Sequence, residues 1–167
     1  YVSLTNLVNS SGVIATDVTG VGTARADLAA ASYGGDKALF AYGNAASQTS
    51  LKNLVNNEGV VAADVTGVGS ARNQLGAASY GLDKAIFGYG NTGSVSSLTN
   101  LVNNVGTVAA DVTGVGTARA GLAAAGYGTD KAIFAYGGGY VSLKNLVSNL
   151  GVVAADVSGV GTARTNL

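Results

Sequence analysis

The chain has 167 residues, of which 47% are hydrophobic and only 11% charged, with nine basic and nine acidic side chains. Low charge with ordinary apolar content argues for a folded chain, not a disordered one. The charges cancel without a basic stripe, which removes the electrostatic footprint of a nucleic-acid binder and of a polybasic membrane patch. Cys, His, Met, Trp and Pro are absent. There is no disulfide framework, and these 167 residues hold no apolar run long enough to span a bilayer and no signal-peptide pattern.

The heptad TGVGTAR at 19–25 returns as TGVGSAR at 66–72, TGVGTAR at 113–119 and SGVGTAR at 158–164. Its arginines, Arg25, Arg72, Arg119 and Arg164, stand 47, 47 and 45 residues apart. A period of this size marks an array of supersecondary units that complete one another's cores. Residues 1–24 form a partial unit, residues 25–71, 72–118 and 119–163 form three whole ones, and residues 164–167 begin another. The chain opens and closes in mid-unit, and YVSLTNLV at 1–8 repeats as YVSLKNLV at 140–147. With no Met anywhere, that pattern predicts a processed product or a stretch of a longer repeat protein.

Each whole unit reads as four short strands, here lettered A to D. In residues 119–163 these are LAAAGY (122–127), KAIFAY (131–136), SLKNLV (142–147) and GVVAADV (151–157), with SGVGTAR as the connector. Ala favours helix, but each run is short, is followed by Gly and lacks a 3.6-residue period. The A–B turn, Tyr33-Gly34-Gly35-Asp36-Lys37 in the first unit, has hairpin chemistry. The C–D turn, as in Asn103-Asn104-Val105-Gly106, has it too. The B–C loop varies (NAASQT, NTGSVS, GGYV), as surface loops do. Four strands in about 47 residues predict an all-β fold, a β-propeller of four-stranded blades with about 3.5 blades in this chain. Closed propellers need more blades, and a loose C–D hairpin leaves a bare sheet edge.

Arg72, Ala77-Ala78, Ile86-Phe87, Gly88-Tyr89-Gly90 and the turn Asn56-Asn57-Glu58-Gly59 stand in the order of a kelch repeat, which the chain resembles along nearly its whole length. It is kelch-like: the kelch Trp is missing, and Tyr42, Tyr89 or Tyr136 interrupts the glycine pair. The unit GVVAADVTGVGTAR…GYGTDKAIFAYG is also similar to repeats of large virion structural proteins of marine bacteriophages. That resemblance implies an extracellular or virion setting, as in a tail fibre or appendage.

TGVGTAR is an incomplete phosphate loop: Gly20 and Gly22 fit G-x-G-x-x-G, but Arg25 replaces the third Gly and four copies occur. It reads as a connector between blades. Asp17, Asp64, Asp111 and Asp156 recur with the arginines and suggest structural caps or salt bridges to them. A carboxylate ring holding a cation in a central channel is the competing reading. Asp36-Lys37, Asp83-Lys84 and Asp130-Lys131 read as solvated turn pairs. Tyr33, Tyr80 and Tyr127, with Tyr42, Tyr89 and Tyr136, are the candidate ligand residues, since Tyr can stack on a sugar ring and keep a polar tip. Phe40, Phe87 and Phe134 read as core.

Without His or Cys, a nucleophile has no partner base, so no catalytic residue, metal or cofactor is assigned. The expected function is that of a structural or interaction module. The alternative is a multivalent lectin-like propeller with one weak site per blade. Expected partners are other copies, or the remainder of a longer parent chain, and surface glycans.

Overall fold

The computed structural model describes residues 1–167 and contains no helix, so no helix long and apolar enough to cross a membrane. Nine strands form three antiparallel sheets of three strands each. The first sheet holds β1 (Ala29–Tyr33), β2 (Lys37–Ala41) and β3 (Lys52–Val55). The second holds β4 (Gly76–Tyr80), β5 (Lys84–Gly88) and β6 (Thr99–Val102). The third holds β7 (Ala123–Tyr127), β8 (Lys131–Ala135) and β9 (Lys144–Val147). In each sheet the middle strand is the second in sequence.

The first two strands of every unit pair in the register Tyr33↔Lys37, Tyr80↔Lys84 and Tyr127↔Lys131. Three residues therefore make each turn. In the first, Gly34 and Gly35 both take positive φ, 63° and 83°, where glycine pays no steric penalty. The second strand stops one residue earlier than the sequence pattern suggests. Tyr42, Tyr89 and Tyr136 have φ of 63–64°, which ends the ladder and turns the chain out of the sheet.

The fourth predicted strand is not a regular one. It touches the third strand through two isolated bridges per unit, Lys52↔Val65 with Val55↔Val61 in the first and Lys144↔Val157 with Val147↔Val153 in the last. Between its bridges the third strand advances three residues and the fourth segment four. That extra residue is a β-bulge, which breaks the ladder and bends the segment. The Asn53 side chain mends the break: its Nδ2 donates to Ala62 O at 3.0 Å and to Asp64 Oδ1 at 2.9 Å. The four-strand expectation is thus corrected to three strands plus a bulged, side-chain-bridged segment. Residues 1–18 repeat that half alone, with bridges Thr5↔Val18 and Val8↔Ile14.

The core lies between units, not within them. One cluster joins Tyr33, Leu39, Ala41 and Tyr42 of the first unit to Leu75, Ala85, Phe87, Val102 and Val108 of the second. The next joins Ala78, Tyr80, Ile86 and Tyr89 to Leu122, Ala132, Phe134 and Val147 of the third. Strand β4 lies against β1, and Ser79 Oγ donates to Ser32 O at 2.9 Å. Small residues on the first strand allow this approach. A thread of backbone bonds also runs from unit to unit: Gln74 N–H to Asp27 O (2.9 Å), Gly121 N–H to Gln74 O (2.9 Å) and Asn166 N–H to Gly121 O (2.8 Å). All four residues have positive φ.

Candidate functional site

The strongest polar constellation is built once per whole unit, around the arginine that opens it. In the second unit the Arg72 side chain is fully buried. Its Nη2 donates to Asn100 Oδ1 at 2.6 Å and its Nη1 to Ser70 O at 3.3 Å. Nη1 also lies 3.7 Å from Asp111 Oδ1, and the guanidinium stacks 4.2 Å from the centre of the Tyr42 ring. Asn100 Nδ2 donates to Asp111 Oδ1 at 2.9 Å. Ser70 supplies the other carboxylate oxygen, Oδ2, with two donors, its N–H at 2.9 Å and its hydroxyl at 2.7 Å. The connector is thereby tied to the third strand and to the bulged segment.

The third unit repeats the lock with Arg119, Asn145, Asp156 and Thr117. Arg119 donates to Asn145 at 2.6 Å, lies 3.9 Å from Asp156, stacks 4.3 Å from Tyr89 and adds an Nε bond to Tyr136 O at 2.7 Å. The first unit has Arg25 with Asn53 at 2.6 Å and Asp64 at 3.4 Å, but no tyrosine ring over the guanidinium.

The electrostatics follow from these contacts. Burial pushes Asp111 up, yet the bonds from Ser70 and Asn100 and the charge of Arg72 outweigh it and leave the carboxyl below its ordinary range. Asp64 is lowered in the same way. For Asp156 the Thr117 hydroxyl is the largest influence, and the net shift is again downward. Burial lowers Arg72 from its usual value, opposed by Tyr42 and Asp111. Burial also pushes the Tyr42 hydroxyl up to about 12.

These positions revise several sequence expectations. Asp17, Asp64, Asp111 and Asp156 do not converge on a channel, and no group of three or more metal-ligating side chains forms. Each aspartate serves its own unit. The arginine partner of Asp64, Asp111 or Asp156 is not the one eight residues later but the one that opens its own unit, 39 or 37 residues earlier. Asp17 and Arg164 sit in the incomplete units and have no ion-pair partner.

The tyrosines separate into two groups. Tyr42 and Tyr89 are buried between the next unit's arginine and phenylalanine, with ring centroids 5.4 Å from Phe87 and 5.1 Å from Phe134. Their hydroxyls donate to Val68 O and Val115 O at 3.1 Å. Tyr136 carries Arg164 at 4.1 Å. Tyr33 and Tyr80 are 4% and 3% exposed, and only Tyr127, whose sheet is the last in the chain, is open at 40%. In the first two whole units, then, no tyrosine is exposed, whereas the third exposes Tyr127 and, in its loop, Tyr140. The turn pairs Asp36-Lys37, Asp83-Lys84 and Asp130-Lys131 are solvent-facing contacts of 2.9, 3.2 and 3.0 Å. The connector glycines pack against the chain itself: in the three connectors that open whole units, the second glycine lies against an aspartate carboxylate, as Gly69 does against Asp111. A Cβ on Gly67 would overlap the Ser50 carbonyl, which is why glycine stands there.

The asparagine of each lock was missed in the sequence reading. Asn6, Asn53, Asn100 and Asn145 occupy the same place in SLTNLV or SLKNLV in all four copies, and that recurrence was the available signal.

One open feature recurs with the period. A groove of about 450 Å³ is bordered by Tyr33, Lys37, Leu54 and Asn56. Its counterpart in the next unit, about 250 Å³, is bordered by Tyr80, Lys84, Leu101 and Asn103.

No protein-family model matches the chain, and no curated protein is detectably similar to it. Among solved structures, that of YjhT aligns with a TM-score of 0.61 at 14% identity, over 91% of this chain and 50% of that one. At that identity the likeness shows the fold alone. The chain spans about half the length of YjhT.

Proposed function

We propose that the chain is a kelch-like β-propeller segment whose units act as blades, each of three strands and a bulged fourth. It serves as a structural or interaction module of an extracellular or virion appendage, without catalysis. One observation carries this reading. In the second and third units the strongest polar constellation, the Arg–Asn–Asp lock with its tyrosine, is consumed in holding successive units together, with the Arg72 and Arg119 side chains fully buried; only the first unit's Arg25 and Asn53 border an open groove, of about 240 Å³. The all-β repeat and its likeness to half of a longer chain support the blade assignment. The kelch and phage resemblances supply the setting.

The test is location. An antibody raised against the chain should label secreted material or purified particles of the source culture. Label confined to the cell interior would overturn the reading.

The recurrent Tyr–Lys–Asn groove favours a second reading, a multivalent glycan-binding propeller with one weak site per blade. A glycan array probed with the chain separates the two. Retention that falls stepwise with Asn56→Ala and Asn103→Ala would establish the lectin reading, and no retention would dismiss it.

A further inference from the structure

A row of polar side chains crosses the first two sheets at the same end. Tyr33 on β1 stands opposite Lys37 on β2, and Asn56 comes next across the sheet, one position past the Ala38↔Val55 pair. In the second sheet the row is Tyr80, Lys84 and Asn103. Directly opposed residues share one face of a sheet, so the side chains of each row converge. Each row borders one of the two grooves described above, the first together with Leu54 and with Val105 of the next unit. The following unit closes on each tyrosine: a Cβ on Gly106 would come within 2.8 Å of the Tyr33 ring, and one on Gly151 within 2.8 Å of the Tyr80 hydroxyl.

Every member of the row has hydrogen-bonding capacity left over, and in every one it includes a donor. Asn56 Oδ1 already accepts from Glu58 N–H at 3.0 Å and from Val60 N–H at 2.9 Å, which leaves Nδ2 to donate. Asn103 Oδ1 does the same with Val105 at 3.1 Å and Thr107 at 2.9 Å. Lys37 Nζ gives one bond to Asp36 at 2.9 Å and Lys84 one to Asp83 at 3.2 Å, so each ammonium keeps further N–H groups. Tyr33 and Tyr80 are 4% and 3% exposed, yet their hydroxyls have no hydrogen-bond partner and, unlike Arg72 Nε, are not sealed from solvent. Burial pushes both hydroxyls above the ordinary tyrosine range, which keeps the proton in place. Tyr42 and Tyr89, by contrast, donate to Val68 O and Val115 O. An unpaired hydroxyl on a buried side chain is costly, and its recurrence at both grooves points to a ligand.

The chemistry of the row selects that ligand. No ring face is open, which excludes stacking on a sugar. A neutral saccharide brings hydroxyl donors that the lysine and the asparagine amide cannot accept, whereas a carboxylate only accepts. Asn104 borders the first groove alone and Thr107 the second alone, so the recurring set is tyrosine, lysine and asparagine.

We propose that each groove takes the carboxylate of an acidic saccharide, a uronic acid unit of a linear polyuronate, with the tyrosine hydroxyl, the lysine ammonium and the asparagine amide as donors. The inference rests on the glycan-binding reading above and names the chemistry of its ligand. A polymer with a carboxylate on every sugar suits a chain with a groove at successive unit boundaries, because weak contacts along one strand reinforce each other. The third unit tells which parts matter. Ser148 stands in the asparagine's place and its Oγ accepts from Leu150 and Val152 N–H at 3.2 Å, but it has no amide to donate.

The test passes the 167-residue chain over immobilised polygalacturonate, its fully methyl-esterified form and dextran, read by surface plasmon resonance. Affinity for polygalacturonate should exceed that for the ester about tenfold or more, the loss expected when charge-assisted bonds are removed. Tyr33→Phe with Tyr80→Phe deletes only hydroxyls that bind nothing in the protein. Asn56→Ser with Asn103→Ser copies Ser148 and keeps the turn bonds. Each pair should weaken binding about tenfold and leave the melting temperature unchanged. Lys37→Gln with Lys84→Gln should weaken it as much, and Lys131→Gln, in the row that holds Ser148, should change nothing.

Equal binding to the ester or to dextran, or paired variants that bind like wild type, overturns the proposal and leaves the glycan-binding reading standing. A loss for Lys131→Gln as large as that for Lys37→Gln with Lys84→Gln overturns it too, since surface charge alone would then account for the binding. Binding to none of the three polymers also overturns it, and the glycan array then decides the glycan-binding reading by itself.

Discussion

Replacing Arg72 with alanine should be among the most damaging single changes in the chain, and the structure sets how damaging. The variant loses the 2.6 Å bond to Asn100, the 3.3 Å bond to Ser70 O, the 3.7 Å pairing with Asp111 and the 4.2 Å stack on Tyr42. A hydrogen bond to a charged group contributes about 1.5–3 kcal/mol. A desolvated cation–π stack adds about 2 kcal/mol. The pairing with Asp111 contributes less, at most about 1 kcal/mol, because that carboxylate is partly solvated and keeps its Ser70 donors. These contributions share one guanidinium and do not add fully, so the expected loss is about 4 kcal/mol, within the range for breaking a buried pair. Arg25 supplies the internal control. It keeps equivalent asparagine and aspartate contacts but has no ring to stack on. Arg25→Ala should therefore cost about 2 kcal/mol less, the stacking contribution. Arg72→Lys should recover less than half of the loss, because an ammonium lacks the planar fork. Native-state hydrogen exchange is the right assay, since repeat arrays need not unfold in one step. Equal losses for Arg72→Ala and Arg25→Ala, or a loss below about 1 kcal/mol for Arg72→Ala, would refute the reasoning.

Acid should weaken the array through its aspartates. Asp64, Asp111 and Asp156 are lowered in the folded chain, so their stabilisation is complete above the unfolded value near 3.9 and disappears as pH falls through the folded values. Melts at descending pH should fall steeply below about 4, and less steeply in Asp111→Asn. Alkali should act through Tyr42, whose raised value gives stabilisation that is full below the ordinary tyrosine range and lost as pH climbs through about 12. Absorbance titration should show a late phenolate step that Tyr42→Phe removes. Gly114→Ala would drive a Cβ into the Ser97 carbonyl and should cost about 3 kcal/mol or more, while Gly93→Ala, with open space around it but φ of 108°, should cost only about 1–2 kcal/mol by chemical denaturation. Gly126→Ser should stabilise, because its counterpart Ser79 already bonds Ser32 O across the unit boundary and a Cβ at 126 would lie 3.3 Å from Ser79 O. A gain of about 1 kcal/mol, seen as a calorimetric Tm rise of a few degrees, is expected.

What the sequence disclosed was set by period and by turn chemistry. The spacing of Arg25, Arg72 and Arg119 places the units, and the Gly-Asp turns place the first two strands almost to the residue. The fourth segment was misread because a bulge leaves no mark in the apolar pattern. Val61 and Val65 are four residues apart, and alternation survives an inserted residue only by eye. The Arg–Asp salt bridges were legible in the sequence, but which arginine each aspartate meets was not. Asp64 is eight residues before Arg72 in sequence, yet it closes on Arg25, 39 residues before it, because the connector folds back onto the sheet it precedes. Tyr42 and Tyr89 could not be told from ligand residues by composition, since a Tyr that stacks on a sugar and a Tyr that stacks on an arginine look identical in sequence.

The units also differ in a way that tells which contacts are general and which are fitted. The lock keeps arginine, asparagine and aspartate in every whole unit, because its hydrogen bonds admit no substitute of similar size. The apolar seam beside it does vary. Ala29 and Ala41 face Phe87, whereas Gly76 and Gly88 stand in the same positions against Phe134. A Cβ on Gly88 would come within 2.7 Å of the Phe134 ring. The ring takes that room, and its centroid lies 5.1 Å from Tyr89, against 5.4 Å between Phe87 and Tyr42. Close packing lets one partner's volume be exchanged for the other's only within a pair. The polar lock therefore carries the repeat from unit to unit, while each apolar seam is matched to its own two neighbours. An interface that recruits a further unit at either end must satisfy the lock first and can tolerate variation in the seam.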